Sequence, residues 1–239
     1  QIERVLDAAK AHGLRGGENP ARWRGHLDAL LSKADKKKAT KRQHFAAMKW
    51  QDVPALMVEL KANQTRDANA IRLLLLTAAR AGMVRLAVWD EFDLEAAIWS
   101  LPAERMKTRQ AFDIPLSPDA IELLQTIPRI EGSPYLFPGN GKTGVIPKEA
   151  MRLFLHRMGH TSITNHGFRA SFRTWASDRP NYNREVCEIS LAHDERDQTE
   201  GAYSRSDFFE KRRELVNTWS QFITTPQADN VIQGDFKRA

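Results

Sequence analysis

Residues 73–80 read Leu-Leu-Leu-Leu-Thr-Ala-Ala-Arg, an apolar run that ends on a cation. The run predicts a buried helix, which we place over residues 69–82 with Gly82 as its C-terminal stop. Arg80 then lies near the C-terminal end of that helix. A cation at this position complements the helix dipole, so Arg80 by itself needs no functional explanation.

The sequence on either side predicts a mostly α-helical fold with a small antiparallel β-sheet. The period changes after Trp89, where residues 97–101 and 112–116 read as strands and flank a turn that contains Lys107. Residues 128–147 are rich in proline and glycine and predict a long loop. Further helices are expected over residues 53–60, 148–158, 166–178, 184–192, 198–205 and 208–222, one from Ser117-Pro118 onward, and two within residues 1–33, the second from Pro20 through Leu31.

The excess of basic charge lies near the N-terminus. Lys and Arg number 36 and Asp and Glu 30, which gives a formal net charge of +6. Residues 1–45 hold 11 of the basic and 5 of the acidic side chains, so the rest of the chain is balanced. The alternative for the basic run within this segment is a solvated linker, which is compatible with DNA binding. We predict that the run contacts DNA phosphates through Lys36, Lys37, Lys38, Lys41 and Arg42.

The composition argues against several other classes of protein. The single cysteine, Cys187, rules out an internal disulfide and lies in an apolar helical pattern, as a buried reduced thiol would. No run of 18 apolar residues and no signal-peptide pattern is present, so we expect no membrane insertion and a cytoplasmic location. His156 and His160 have a spacing that could ligate a metal. Because no acidic or cysteine partner adjoins them, we favour a surface or packing role and predict no metal site.

Polar residues that follow Arg80 form a second pattern. His166 and Arg169 lie three apart and therefore share a helix face. Each member of the set has an ordinary explanation alone, such as a solvated turn or a capping histidine. Their joint order is informative because independent coincidences multiply. The complete set is Arg80, Lys107, His166, Arg169, His193 and Tyr203.

The order and spacing of these six residues resemble the tyrosine recombinase (phage integrase) family, which cuts and rejoins DNA through a phosphotyrosine bond. Residues 90–94 (Asp-Glu-Phe-Asp-Leu), 102–107 (Pro-Ala-Glu-Arg-Met-Lys) and 202–207 (Ala-Tyr-Ser-Arg-Ser-Asp) look like the prophage and genomic-island integrase branch. The resemblance covers residues 43–223. It agrees with the mostly helical fold and its small sheet, which is the fold of the family's catalytic domain.

The resemblance implies a role for each residue of the set. Tyr203 would be the nucleophile, Lys107 the general acid, and Arg80 and Arg169 the clamps on the scissile phosphate. Guanidinium groups suit this task because they are always charged and can donate two hydrogen bonds to phosphate oxygens. His193 would donate a hydrogen bond to the phosphate, and His166 would assist proton transfer or orient the tyrosine. The cleavage and rejoining reaction would need no cofactor, no metal and no ATP.

The resemblance also implies domains and partners. Residues 1–42 would be the C-terminal end of a helical core-binding domain plus a basic linker, residues 43–223 the catalytic domain, and residues 224–239 a flexible tail. We expect a fragment of a larger protein that acts on double-stranded DNA attachment sites, as a monomer when free and a homo-tetramer on DNA. DNA-bending accessory proteins and association with the nucleoid are further expectations. The reaction would integrate or excise a prophage or genomic island.

One position departs from the family pattern. Members commonly carry an acidic residue three positions after the first arginine, and here that residue is Met83. We expect either a looser pocket or the takeover of this role by another acid, Asp90 or Glu91. The alternative functions are a catalytically weakened DNA-binding relic and an enzyme like type IB topoisomerases.

Overall fold

The protein is described by a computed structural model over residues 1–30, 47–106, 108–141, 143–179, 182–192 and 208–225. The chain divides into two compact units, Gln1–His44 and Phe45–Ala239. The basic run from Lys36 to Arg42, the helix expected over residues 198–205 and all but the start of the expected tail lie outside the described residues.

Among its described residues, the first unit contains one long regular helix, α1 (Ile2–Ala11). Asn19 is buried and ties the following loop to α1, because its amide donates to the Glu3 carbonyl at 2.8 Å and to Asp7 Oδ1 at 2.6 Å. The second helix predicted from Pro20 through Leu31 is present only in part among the described residues. Gly25 has a φ of 73°, which breaks the helical path, and a regular α-helical turn follows at Asp28–Leu30.

The second unit is built around α3 (Arg66–Thr77), whose side chains from Leu73 to Leu76 are all buried. A helix that is apolar on all sides must be covered on all sides. Helices of the described part of the chain pack against it, among them α2 (Val53–Lys61), α5 (Pro118–Thr126), α6 (Ala150–Arg157) and α9 (Phe209–Thr224). The leucine run therefore forms the centre of the core, as the sequence predicted.

The end of this helix differs from the prediction. α3 ends at Thr77, and Ala78 adopts a left-handed conformation with φ 50° and ψ 22°. A separate short helix, α4 (Ala81–Arg85), then begins, and Gly82 lies inside it. Arg80 is the extended residue before α4, with φ −76° and ψ 144°, and is not in the last turn of the long helix. The explanation of Arg80 as a partner of that helix's dipole was therefore wrong.

The predicted sheet is present and has three antiparallel strands in the order β1-β2-β3. β2 (Ile98–Leu101) and β3 (Phe112–Pro115) are the two predicted strands, and Trp99 faces Ile114 across them. The two-residue strand β1 (Phe92–Asp93) was not predicted. With this sheet among the helices, the predicted fold class is confirmed.

Two further α-helices of the described ranges are α7 (Gly167–Ser177) and α8 (Arg184–Ser190), each close to its predicted position. Trp175 of α7 and Trp219 of α9 are fully buried and meet edge to face, with ring centroids 5.0 Å apart. The Trp219 indole also donates to the Leu75 carbonyl at 2.7 Å. These contacts fix α7, which carries Arg169, against the central helix α3.

Candidate active site

Arg80 projects from the extended link between α3 and α4. Its guanidinium Nη2 donates to the carbonyl oxygen of Ala192 at 3.0 Å. Residue 80 is half-buried, and burial lowers the pKa of Arg80 from its ordinary value. Ala192 is 112 residues further along the chain, so this single contact joins two distant segments at one place.

Arg169 reaches the same place from the first turn of α7. It is 4% exposed, and its Nη1 donates to the Ala78 carbonyl at 2.6 Å. Its Nη2 donates to the Leu191 carbonyl. The buried guanidinium is thus held between the end of α3 and the end of α8, which sets its orientation from two sides.

The two arginines lie close enough to influence each other. The pKa of Arg169 is lowered to about 9, first by burial and then by the positive charge of Arg80, while the carboxylate of Glu188 acts in the opposite direction. The carbonyl groups that accept from the two guanidinium groups carry no formal charge, so they orient the cations without neutralising them. A pair of like charges held in this way forms a strong site for an anion.

The carbonyl groups that anchor the arginines belong to turns with unusual backbone conformations. Ala78 and Ala192 have φ values of 50° and 49°, a left-handed conformation that is costly for any residue except glycine. Both turns end helices, α3 and α8 respectively. In each case the turn directs a carbonyl toward an arginine of the pair, so the unusual backbone occurs where the anion site is built.

His166 lies at the start of α7, one turn before Arg169. It is exposed, and its carbonyl accepts from the Arg169 backbone N–H at 3.2 Å. The following residue is fixed, because Gly167 N–H donates to Thr164 Oγ1 at 3.0 Å. His166 and Arg169 therefore lie one turn apart at the start of α7, as predicted, and His166 is exposed to solvent.

The other three residues of the predicted set, Lys107, His193 and Tyr203, lie outside the described residues. For His193 and Lys107, residues close by in the sequence are described, and these contact Arg80 or the helix that follows it. Ala192, which accepts from Arg80, directly precedes His193 in the chain. Arg105, two residues before Lys107, donates to a carbonyl of the short helix that follows Arg80. Among the described residues, the structure thus brings together Arg80, Arg169 and, one turn away, His166.

Sequence reasoning missed the residues that hold this arrangement. Glu91, one of the two acids expected to compensate for Met83, forms a buried ion pair with Arg105 rather than bonding the Arg80 guanidinium. Ala78 and Ala192 were missed as well, because alanine is not a residue type from which a positive φ is predicted. The nearest signal for the ion pair is the cluster of charges at residues 104–107, which is also the pattern of a solvated turn.

The other side chains singled out in the sequence have simple surroundings. Nε2 of His160 and Oε2 of Glu59 are 2.9 Å apart and share a hydrogen bond, which agrees with a surface or packing role. The part of the chain that the structure describes contains no group of three or more metal-binding side chains. Cys187 is buried, as predicted, and burial raises the pKa of its thiol. Within the same described ranges, no helix is both long and apolar enough to span a bilayer.

Comparison with known proteins gives one consistent family. A family model described as the phage integrase family matches residues 47–209. Prophage integrase IntZ of Escherichia coli (strain K12) is 35% identical over 196 residues, which are 81% of this chain and 48% of that protein. The integrase of Enterobacteria phage P4 is 30% identical over 204 residues, or 77% of this chain and 46% of that protein. The chain therefore spans about half the length of the curated relatives it matches.

Solved structures share the fold at low sequence identity. The integrase from mycobacterium phage Brujita superposes with a TM-score of 0.58 at 17% identity, and covers 95% of this chain and 72% of its own. The integrase of transposon Tn1549, solved in complex with transposon right end DNA, gives 0.50 at 15% identity and covers 89% of this chain and 76% of its own.

Proposed function

This chain belongs to the phage integrase family, and from that premise we propose that it is the catalytic part of a site-specific DNA recombinase. It cuts and rejoins DNA through a 3′-phosphotyrosine intermediate, and so integrates or excises a prophage or genomic island. The observation that carries the proposal is the pair of like-charged arginines, Arg80 and Arg169, held on uncharged carbonyl groups. This pair suits the phosphorane-like transition state of a phosphodiester under attack, in which negative charge builds on the non-bridging oxygens.

The reaction follows from the roles assigned to the six residues. The phenolic oxygen of Tyr203 attacks the scissile phosphorus while the bond to the 5′ oxygen breaks. The phenolic proton passes to a base, for which His166 at the edge of the arginine site is the candidate, and Lys107 gives a proton to the departing 5′ oxygen. His193 donates a hydrogen bond to the phosphate. A 5′ hydroxyl from a partner duplex then reverses these steps, so the bond energy is conserved and ATP is not consumed.

Partners and domains follow from the same proposal. The substrate is a double-stranded attachment site, and the working assembly is four protomers on two duplexes, with a monomer in the free state and DNA-bending proteins as accessories. Residues 1–42 are the end of a core-binding domain with a basic linker, and residues 43–223 are the catalytic domain. The Tn1549 integrase was solved in complex with transposon right end DNA, which supports DNA as the partner. Cytoplasmic location at the nucleoid follows from that substrate.

The proposal is tested by covalent trapping. The chain is incubated with a pool of nicked duplexes of random sequence, and protein linked to DNA is recovered from a denaturing gel and the captured DNA sequenced. We expect an adduct that requires Tyr203, is absent from Tyr203→Phe, and defines a preferred site. Duplex binding without any adduct, in this chain and in one extended to the length of its relatives, would favour the DNA-binding relic instead.

A further inference from the structure

Glu91 and Arg105 form a largely buried ion pair. Arg105 lies in the connection between β2 and β3, and Glu91 directly precedes β1. Nη1 of Arg105 donates to Oε1 of Glu91, and the two side chains are 17% and 6% exposed, in the order Arg105 and Glu91. The other carboxylate oxygen of Glu91 accepts from the Trp99 indole at 3.0 Å and from the Val88 backbone N–H at 3.4 Å. Because its oxygen atoms are bonded from three directions, the carboxylate has one fixed position.

The same arginine also reaches the helix that follows Arg80. Nη2 of Arg105 donates to the Met83 carbonyl at 2.6 Å, and Met83 lies in the first turn of α4. The Met83 sulfur in turn accepts from the Arg80 backbone N–H at 3.5 Å. One guanidinium therefore connects the sheet, through Glu91, to the backbone immediately after Arg80.

Arg105 lies two residues before Lys107, and the chain between them is anchored. Met106 is 4% exposed and belongs to the hydrophobic core. Its carbonyl accepts from the Arg109 backbone N–H at 3.1 Å. Lys107 itself lies outside the described residues, but the segment that leads into it is held to the core and to α4.

We propose that the Glu91–Arg105 ion pair is a positioning device that holds the segment leading into Lys107 against the helix following Arg80, so that the general acid acts on the same phosphate as the arginine clamp. This inference rests on the proposed function. A buried ion pair contributes little net stability compared with apolar side chains of the same size, because both charges lose their hydration. Its value here is geometric, since Glu91 orients Arg105, and Arg105 lies in the segment that leads into Lys107 and donates to the helix that follows Arg80.

The chemistry of the leaving group allows a selective test. An alkoxide leaving the phosphorus needs a proton, whereas a thiolate is a far weaker base and leaves without one. A duplex with sulfur in place of the bridging 5′ oxygen at the scissile position therefore removes the need for Lys107. It leaves the need for Arg80, Arg169 and Tyr203 unchanged. A defect confined to proton donation disappears on the sulfur substrate, and a defect in the fold or the phosphate clamp persists.

The experiment measures the rate of covalent-complex formation in single-turnover reactions. The substrate is a duplex that carries the DNA site identified by covalent trapping, with either oxygen or sulfur at the bridging 5′ position. We expect Arg105→Lys and Glu91→Gln to lose at least about tenfold on the oxygen substrate and to return to within about threefold of the unmodified chain on the sulfur substrate. Glu104→Gln makes the same chemical change at an exposed neighbour and should be unchanged on both. Lys107→Ala is the positive control, whose activity the sulfur substrate should restore. Arg169→Ala is the negative control, whose activity it should not restore.

The thermal unfolding midpoint of each variant is measured alongside, so that a loss of folded protein is separated from a loss of activity. Trp99→Phe removes one donor to Glu91 while keeping an aromatic ring, and it should show a smaller loss that sulfur also restores. If Lys107→Ala is rescued and Arg105→Lys is not, or if Arg105→Lys loses nothing, the positioning proposal is overturned and the proposed function stands. If Lys107→Ala is equally slow on both substrates, the general-acid assignment fails and the positioning proposal fails with it.

Discussion

Arg80 and Arg169 donate hydrogen bonds to consecutive carbonyl groups, those of Ala192 and Leu191. These two residues form the turn at the end of α8 and directly precede His193. The arginine pair is therefore tied to the chain segment that leads to His193 and Tyr203. Under the proposed function, anchoring of this kind reduces the motion that would be lost when a phosphate binds, so the arginine pair is partly organised in the free chain.

The first prediction concerns the repulsion between the two arginines. Arg80→Gln removes a positive charge beside the buried Arg169, so we expect the free energy of unfolding to rise by about 0.5–1 kcal/mol while cleavage is lost. The gain should shrink as salt is added, because salt screens the repulsion. Urea denaturation at low and high ionic strength measures both effects.

Arg85→Gln is the matched control for this change. Arg85 lies on the short helix that follows Arg80 and also donates to an uncharged carbonyl, that of Ile146 at 3.2 Å. It should gain no stability, because the lowered pKa of Arg169 involves Arg80 and not Arg85. A loss of stability in Arg80→Gln as large as in Arg85→Gln would refute the idea that the pair is strained by like charge.

The second prediction concerns the left-handed turn at Ala78. Glycine adopts a φ of 50° without the steric cost of about 1–2 kcal/mol that a Cβ incurs, so Ala78→Gly should be neutral or stabilising by up to about 1 kcal/mol. Ala70→Gly, in the interior of α3 and also buried, should instead cost about 1 kcal/mol. Urea denaturation compares the two. Equal destabilisation would mean that the backbone at Ala78 is not left-handed in solution.

The third prediction concerns the attachment of α9 to the sheet. Arg212 is 1% exposed, lies with its guanidinium carbon 4.9 Å from the centre of the Phe112 ring, and donates to the Asp113 carbonyl at 2.8 Å. Arg212→Ala should cost about 3 kcal/mol, because it leaves a cavity and a carbonyl without its donor. The adjacent Arg213 is more exposed, so Arg213→Ala should cost less than about 1 kcal/mol. Chemical denaturation that finds equal costs would contradict the assigned anchor.

Much of the fold could be predicted because local patterns and tertiary packing agree. The leucine run of α3 and the strands around the Lys107 turn have the period of the structure they adopt. The break in the second helix of the first unit could not be predicted, because Gly25 takes a positive φ that its neighbours do not signal. The early end of α3 was missed for a related reason. Ala78 is a good helix former, and the residue that bonds its carbonyl, Arg169, lies 91 positions away.

The candidate site shows the same division. Arg80 and Arg169 could be named as a candidate pair from the sequence because the resemblance to the family carries rare side chains in a fixed order. The residues that hold them could not, because the partners of Arg105 are a carboxylate 14 positions away and a backbone carbonyl 22 positions away. In the sequence such a residue cannot be distinguished from a solvated charge. Long-range hydrogen bonds to backbone carbonyls have no sequence signature at all.

The most direct test of the central claim, that Arg80 and Arg169 stabilise negative charge on the scissile phosphate, replaces one non-bridging oxygen by an uncharged methyl group. The rate of covalent-complex formation is measured for the unmodified chain and Arg169→Ala on the normal duplex and on each methylphosphonate diastereomer, with duplex binding measured in parallel. We expect Arg169→Ala to lose about 10²–10³-fold on the normal duplex but less than about tenfold on a methylphosphonate, with binding nearly unchanged. An equal loss on charged and uncharged substrates, or an equal loss in binding and cleavage, would contradict the account.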